Sequence, residues 1–230
     1  LAASLLVIMR FVIPGMLSGH DPRVIATTGA FVIMLTTLYM AHGINLKTTV
    51  ALVGTAIALV FTVALSAFAI SLAQLTGIAS EDTATLQVLA ARHVDAAGVL
   101  LGGIVIGALG VLNDITVAQA SAVFELRHAN ASFNVFELYR RAMNVGRDHI
   151  SATVNTLVLA YAGASLPLLM LLVVQGEPLA TELSREFIAT EVVRSLVGSM
   201  GLIAAVPLTT VCAALVAARI RSEGGPARWM

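Results

Sequence analysis

The feature that most constrains this chain is a series of six apolar segments, each close to the length of a helix that crosses a lipid bilayer. A hydrocarbon core of roughly 30 Å needs about 20 helical residues. The first three segments are Leu1–Leu17, Val24–Ala41, and the run that follows Lys47, Thr48 and Thr49 and ends at about Gln74. The last three are the run that begins at Gly98, the run from about His149 to Val174, and the run that carries Glu191 and Arg194 and exits through Arg219 and Arg221. Only 11% of the residues are charged and 58% are hydrophobic, against roughly 25% charged in soluble domains.

This pattern predicts an all-α fold, a polytopic transmembrane helix bundle with about six membrane helices. We expect the whole chain, residues 1–230, to form a single bundle and to be the membrane part of a longer protein. Short amphipathic helices are expected at the membrane surface. One lies in the polar stretch Gly77–Asp95, where Ser80 precedes two acids as a helix N-cap would. Another, Val135–Met143, follows Asn134 and Glu137, which have the spacing of a capping box.

The composition argues against several classes of function. The formal net charge is zero, so nothing in it indicates a nucleic-acid partner. The single cysteine, Cys212, rules out an internal disulfide or a cysteine metal cluster. The five histidines show no paired helical spacing, which leaves no metal site to predict. We expect no cofactor and no enzymatic activity, because no spacing identifies a nucleophile with an oriented base.

The stretch from Gly98 to Asn155 carries the most informative polar residues. Gly103, Gly107 and Gly110 share one helical face with Asp114. An ionisable residue within a membrane helix is costly and marks a functional site by default. Asp114 therefore has two interpretations: a proton, cation or substrate site facing a hydrated cavity, or a buried carboxylate paired with Arg147 or Asn155 that fixes the register of two helices.

Two groups of candidate site residues follow. The first is predicted to line a polar cavity in the cytoplasmic half of the bilayer and to bind a ligand or ion: Asn113, Asp114, Gln119, Asn155 and Thr156. The second, Arg147 with Asp148, stands at an expected helix start, where free backbone N–H groups attract anions such as lipid head groups. The alternative for this second pair is simple interfacial anchoring. The series Gly102, Gly103, Gly107 and Gly110 favours close packing against a neighbouring helix.

The distribution of basic residues predicts the orientation. The side that holds Lys47 and Arg127 collects eight Lys and Arg residues, and the side that holds Arg23 and Arg194 collects four. The side with eight should be cytoplasmic, which places both ends of this chain inside. On the other side, Glu191 and Arg194 have the spacing of an i,i+3 ion pair. Arg10, within the first apolar segment, has no assigned partner.

Several motifs resemble those of the YibE/F-like family of bacterial integral membrane proteins. They are Ile13–Gly15, Gly19–Pro22, Gly110–Asp114 with Ala120, Ser121 and Glu125, Gly146–Asp148, Asn155–Leu157, Ala160–Pro167 and Gly201–Thr209. The resemblance implies a multi-pass protein of the bacterial plasma membrane, within longer chains that carry an earlier membrane helix and an extracytoplasmic segment. Members are described chiefly as membrane proteins of undefined activity, so no catalytic residue is implied.

Two functional hypotheses remain open at the level of sequence. In the first, the chain is a transport component whose polar cavity binds a small solute or ion. In the second, it is a non-transporting membrane subunit or scaffold that docks a partner protein through the cytoplasmic loop Asn130 to Asn144, where Arg140 and Arg141 are presented.

Overall fold

The computed structural model describes residues 2–79, 81–89, 94–176, 181 and 184–219, and within these ranges the regular structure is helical, with no strand. The helices are α1 (Ala2–Leu17, with a π-helical turn at Ile8–Val12), α2 (Pro22–His42), α3 (Leu46–Leu72), α4 (Glu81–Leu89), α5 (Ala96–Ala129), α6 (Val135–Ala164), α7 (Leu166–Gln175) and α8 (Glu186–Arg219). The prediction of an all-α bundle is confirmed.

Four of the described helices are long and apolar enough to cross a membrane, namely α2, α3, α5 and α8. The pair α6 and α7 gives a fifth span if it is counted as one, and its two parts meet at an angle of 63°. The first apolar segment, α1, is shorter than these. The expected number of about six is therefore approximate, because α1 falls short of a full span and the fifth is broken.

Helix α5 is the centre of the bundle and contacts α2, α3, α6 and α8. At about 1.5 Å per residue its 34 residues extend roughly 51 Å, well beyond the hydrocarbon core. Its buried side chains include Leu101, Val105, Leu109 and Leu112, which join a core cluster with residues of α2, α3 and α8. A second cluster, which includes Val123 and Leu138, fills the end where α5 passes into α6.

Helices α3 and α8 pack through reciprocal pairs of glycine and threonine. Gly54 of α3 lies against Thr209 of α8, and Gly201 of α8 lies against Thr62 of α3. Since lipid tails are as apolar as leucine, membrane helices associate through close packing of small residues. Thr62 Oγ1 bonds within its own helix by donating to the carbonyl of Ala58 at 2.8 Å. The buried Thr209 Oγ1 has no hydrogen-bond partner among the described residues.

Polar contacts at the two ends fix the turns. At one end, the carboxylate of Glu186 accepts hydrogen bonds from the backbone N–H groups of Thr76 and Gly77 at 2.6 and 2.8 Å. At the other end, the guanidinium of Arg127 donates to the carbonyl of Phe133 at 2.9 Å. The turn between α2 and α3 shares this second end, because the chain alternates direction along successive helices.

Helix α6 is one continuous helix where the sequence predicts two, a surface helix and the fifth membrane helix. The segment Val135–Met143 does not lie apart on the membrane surface but continues without a break to Ala164. Leu138, Ala142 and Gly146 are buried at four-residue intervals, so one packed face runs through both predicted helices. The predicted capping box of Asn134 and Glu137 is confirmed at its start.

The prediction of one continuous helix from His149 to Val174 is also wrong. In the structure α6 ends at Ala164, and α7 begins at Leu166 with Pro167 in its first turn. Proline lacks a backbone N–H and is accommodated at the start of a helix but not in its interior. In the other polar stretch, α4 confirms a short helix between Gly77 and Asp95, whereas Ser80, the predicted N-cap, lies outside the described residues.

Candidate functional site

A groove with polar residues opens between α1, α2 and α5, at the end of the bundle where α2 finishes. Its volume is about 550 Å³. Its polar lining residues are Ser4, Thr37, His42, Asn113 and Asp114. Apolar side chains of α2 and α5, including Ile33 and Leu109, form the rest of the wall together with Gly107 and Gly110. Sites for small molecules are also concave and largely apolar, with a few polar groups.

Asn113 links α5 to α2 at the wall of this groove. Its side-chain Nδ2 donates to Thr37 Oγ1 at 3.2 Å, and Thr37 in turn donates to the carbonyl of Ile33 at 2.7 Å. The other amide atom, Asn113 Oδ1, is buried and has no hydrogen-bond partner in the part of the chain that the structure describes. A buried acceptor without a partner is costly, so this oxygen can accept a bond from water or a bound ligand.

Asp114 is exposed, and its side chain lines the groove. Within the described ranges, no hydrogen bond or ion pair joins it to Arg147 or Asn155, the partners considered from sequence. The other titratable residue in the lining is His42, from the last turn of α2. A carboxylate, an amide, an imidazole and two hydroxyls therefore border one groove.

Gln119 occupies a different place, in the centre of the bundle. It is fully buried and its Nε2 donates to the carbonyl of Ala142 at 3.0 Å and to Thr210 Oγ1 at 2.7 Å. These bonds join α5 to α6 and α8. Gln119 thus does not line the groove, and its bonds hold three helices together.

Asn155 and Thr156 lie on an exposed face of α6, away from the groove. Asp148, Ser151 and Asn155 are all exposed, whereas α6 is packed through Gly146. Asn155 follows Gly146 by nine residues, and at about 100° per residue the two point in opposite directions. The five predicted cavity residues are therefore divided among the groove, the core and the outer face of α6. Arg147 and Asp148 are both exposed within the continuous helix, with no helix start beside them.

The glycines of α5 divide into a packed and an uncovered set. Gly102 packs closely, since a Cβ there would stand 2.8 Å from the Cβ of Ala26. At Gly103, Gly107 and Gly110 an added Cβ would meet no neighbouring atom of the described residues within 4 Å. These three, with Asp114, form what we call the glycine face, and it is exposed along its length. The expected close-packing role is confirmed only for Gly102.

A second cleft lies near the start of α5, on the side of the groove away from Asp114, and shares the glycine face. We call it the outer cleft; its volume is about 290 Å³. Its lining includes Gly103, Thr190, Glu191 and Arg194, together with apolar residues of α5 and α8. The predicted pair is confirmed, with Arg194 Nη1 at 2.5 Å from Glu191 Oε1. Gly103 lines the outer cleft and Gly107, one turn further along, lines the groove.

The chain matches a family model described as YibE/F-like protein over residues 1–219. It belongs to the YibE/F-like family. No curated protein and no solved structure matches this YibE/F-like protein. Across its described residues, no group of three or more His, Cys, Asp or Glu side chains could hold a metal ion.

The motifs that carry the family resemblance occupy structurally distinct positions in this YibE/F-like protein. Gly110–Asp114 forms the junction between the glycine face and the groove, and Gly146 lies in the core against α5 and α8. Thr37 and His42 of the groove were missed by sequence reasoning. Both lie on α2, and no spacing within the sequence relates them to Asp114, since only the packing of α2 on α5 brings them together.

Proposed function

We propose that this YibE/F-like protein is a transport component that moves a small cation, a proton included, along the glycine face of α5. The observation that carries the proposal is the arrangement of two clefts on one uncovered helix face. Gly103 lines one cleft and Gly107 and Gly110 line the other, and a Cβ added at any of the three would meet no described neighbour within 4 Å. A bundle with a binding region at each end of such a face has the parts that a solute path requires.

The chemistry of the groove favours a cation. Asp114 supplies a carboxylate, Asn113 Oδ1 an acceptor without a partner, and Thr37 a hydroxyl. Oxygen ligands of this kind suit hard cations and protons. A volume of about 550 Å³ also admits a hydrated ion or a small organic cation.

We propose that the protein lies in the bacterial plasma membrane with the groove towards the cytoplasm. The excess of Lys and Arg at the end that contains Lys47 and Arg127 supports this orientation. The turn between α2 and α3 exposes Ile44, of which 85% is accessible. A cysteine at position 44 should react with a membrane-impermeant reagent only in inverted vesicles. Labelling of this cysteine from outside intact cells would show that the groove faces the opposite side of the membrane.

The transport proposal is tested by flux into liposomes that contain the purified protein, with a trapped pH-sensitive dye for protons and radioactive sodium for Na⁺. Asp114→Asn should abolish flux of the transported ion. Glu125→Gln is the matched control, because it makes the same chemical change at an exposed position of the same helix outside the groove. Equal flux in Asp114→Asn and the wild-type protein would remove Asp114 from the path.

A blocking variant tests the path itself. Gly107→Leu places a large side chain on the glycine face where a Cβ meets no described neighbour, so the fold should tolerate it. Flux should fall at least tenfold while the melting temperature stays unchanged. Undiminished flux through Gly107→Leu would contradict a path along this face.

A second candidate function, the docking of a partner protein, is supported by the start of α6. Phe136 is 69% exposed there, and the guanidinium of Arg141 lies 4.4 Å from the ring centre of Phe133. Exposed aromatic and arginine side chains are typical of binding hot spots. Changing Arg140 and Arg141 to Glu should then release a copurifying partner without affecting flux, and unchanged copurification would count against this surface.

A further inference from the structure

The outer cleft carries an unused set of polar groups beside an apolar wall. It lies between the loop after α3, the start of α4, the first turns of α5 and the first turns of α8. Val99, Leu100 and Phe187 contribute the apolar side. Its volume of about 290 Å³ is at the lower end of the range for small-molecule sites. The ligand that fits is therefore small.

The charged groups of the cleft are one of each sign. Glu191 and Arg194 lie on successive turns of α8 and are about one-third exposed, at 30% and 32% of their side-chain surfaces. A guanidinium has five N–H donors, and within the described residues Arg194 donates only to Glu191. Both groups thus keep capacity for a ligand. A ligand with a single charge would pair with either Glu191 or Arg194 and would leave the charge of the other residue without a counter-ion in a partly buried site.

Thr190 supplies an independent sign of a missing partner. It is 7% exposed, and its Oγ1 makes no hydrogen bond in the part of the chain that is described. Threonine in a helix commonly donates to the carbonyl four residues earlier, as Thr210 does here to Val206 at 2.6 Å. Thr190 does not make this intrahelical bond, and it lines the cleft beside Glu191.

The wall of the cleft is held in place by polar contacts and a required glycine. The Glu186 carboxylate accepts from the N–H groups of Thr76 and Gly77, which fixes the loop against the start of α8. Gly77 has a φ of +76°, and an added Cβ would collide with the backbone of Ala96. The loop that forms one wall of the cleft is therefore held in a defined position.

We propose that the outer cleft binds a small zwitterion with an apolar side chain, chemically an apolar α-amino acid. Its carboxylate bonds to Arg194 and to the Thr190 hydroxyl, its ammonium group to Glu191, and its side chain packs on Val99, Leu100 and Phe187. Binding in the outer cleft is measured at equilibrium and away from Asp114. The result of the binding experiment is therefore independent of whether the protein transports a cation.

The experiment measures binding of leucine to the purified protein in lipid nanodiscs by calorimetry. Two analogues dissect the charges: 4-methylpentanoate lacks the ammonium group and 3-methylbutylamine lacks the carboxylate. Leucine should bind at least tenfold more tightly than either. The inference is overturned if leucine gives no binding at millimolar concentrations, or if either analogue binds as well as leucine.

Variants then locate the site. Arg194→Gln should weaken the binding of leucine at least tenfold. Leucine should then bind this variant no more tightly than 3-methylbutylamine does. Thr190→Val, which keeps the side-chain shape, should weaken leucine several-fold. The matched control is Arg219→Gln, an exposed arginine at the other end of the same helix, which should bind leucine like the wild-type protein. Equal affinity in Arg194→Gln and Arg219→Gln would place leucine elsewhere and overturn the assignment.

Discussion

Gly146 of α6 lies directly against the side chain of Gln119 on α5. A Cβ added at Gly146 would stand 3.0 Å from both Nε2 and Oε1 of Gln119, and closer still to a methyl group of Val206. This approach lets Gln119 reach the carbonyl of Ala142 and the hydroxyl of Thr210. One glycine therefore sets the distance between α6 and the centre of the bundle.

Gly146→Ala should destabilise the protein. The added methyl group must displace Gln119 or Val206, and overpacking of this kind costs about 1–3 kcal/mol. Gly163→Ala is the control within the same helix, because a Cβ there meets no described neighbour. Alanine is the better helix former by about 1 kcal/mol, so Gly163→Ala should be neutral or stabilising. Thermal unfolding in one detergent compares the two, and equal melting temperatures would contradict the packing described here.

Gly201→Ala tests the seam between α3 and α8. The new methyl group would collide with Thr62 and force the helices apart, whereas Gly198→Ala, less than one turn earlier in α8, meets no described neighbour. A loss of about 1–3 kcal/mol is expected for Gly201→Ala alone. Denaturant unfolding followed by circular dichroism measures both variants. If Gly198→Ala were the more damaging one, the reciprocal glycine and threonine packing would be wrong.

Glu186→Ala should loosen the loop after α3. The substitution removes the acceptor for the N–H groups of Thr76 and Gly77, and bonds to a charged group are each worth about 1.5–3 kcal/mol. Amide hydrogen exchange at Thr76 and Gly77 should accelerate at least tenfold. Glu125→Ala, at an exposed site on α5, should leave exchange there unchanged. Unaltered exchange in Glu186→Ala would show that the loop is held by other contacts.

The sequence predicts much of the local structure. The spacing of Gly103, Gly107, Gly110 and Asp114 gives one face, and the structure keeps it as one face. The Asn134 capping box depends only on residues adjacent in the chain, which is why its pattern can be read without tertiary information.

The direction in which α6 turns its polar face could not be predicted. Asp148 and Asn155 mark a polar side, and the natural expectation is that polar groups in a membrane helix face the bundle. Packing is decided instead by Leu138, Ala142 and Gly146, which present a small apolar face to α5 and α8. The site residues therefore separate because helix rotation depends on shape complementarity between helices, which no single helix reveals.

If the glycine face of α5 borders a water-filled path, a cysteine placed on it should react readily with water-soluble thiol reagents. In a Cys212→Ser background, Gly107→Cys can be compared with Phe68→Cys, an exposed residue of α3 outside both clefts, using a membrane-impermeant, water-soluble thiol reagent on protein in liposomes. We expect the cysteine at position 107 to react at least tenfold faster than the cysteine at position 68, because only position 107 would meet water. Equally slow reaction at both positions would show that the glycine face is as dry as the surface that carries Phe68, and that no water-filled path runs along it.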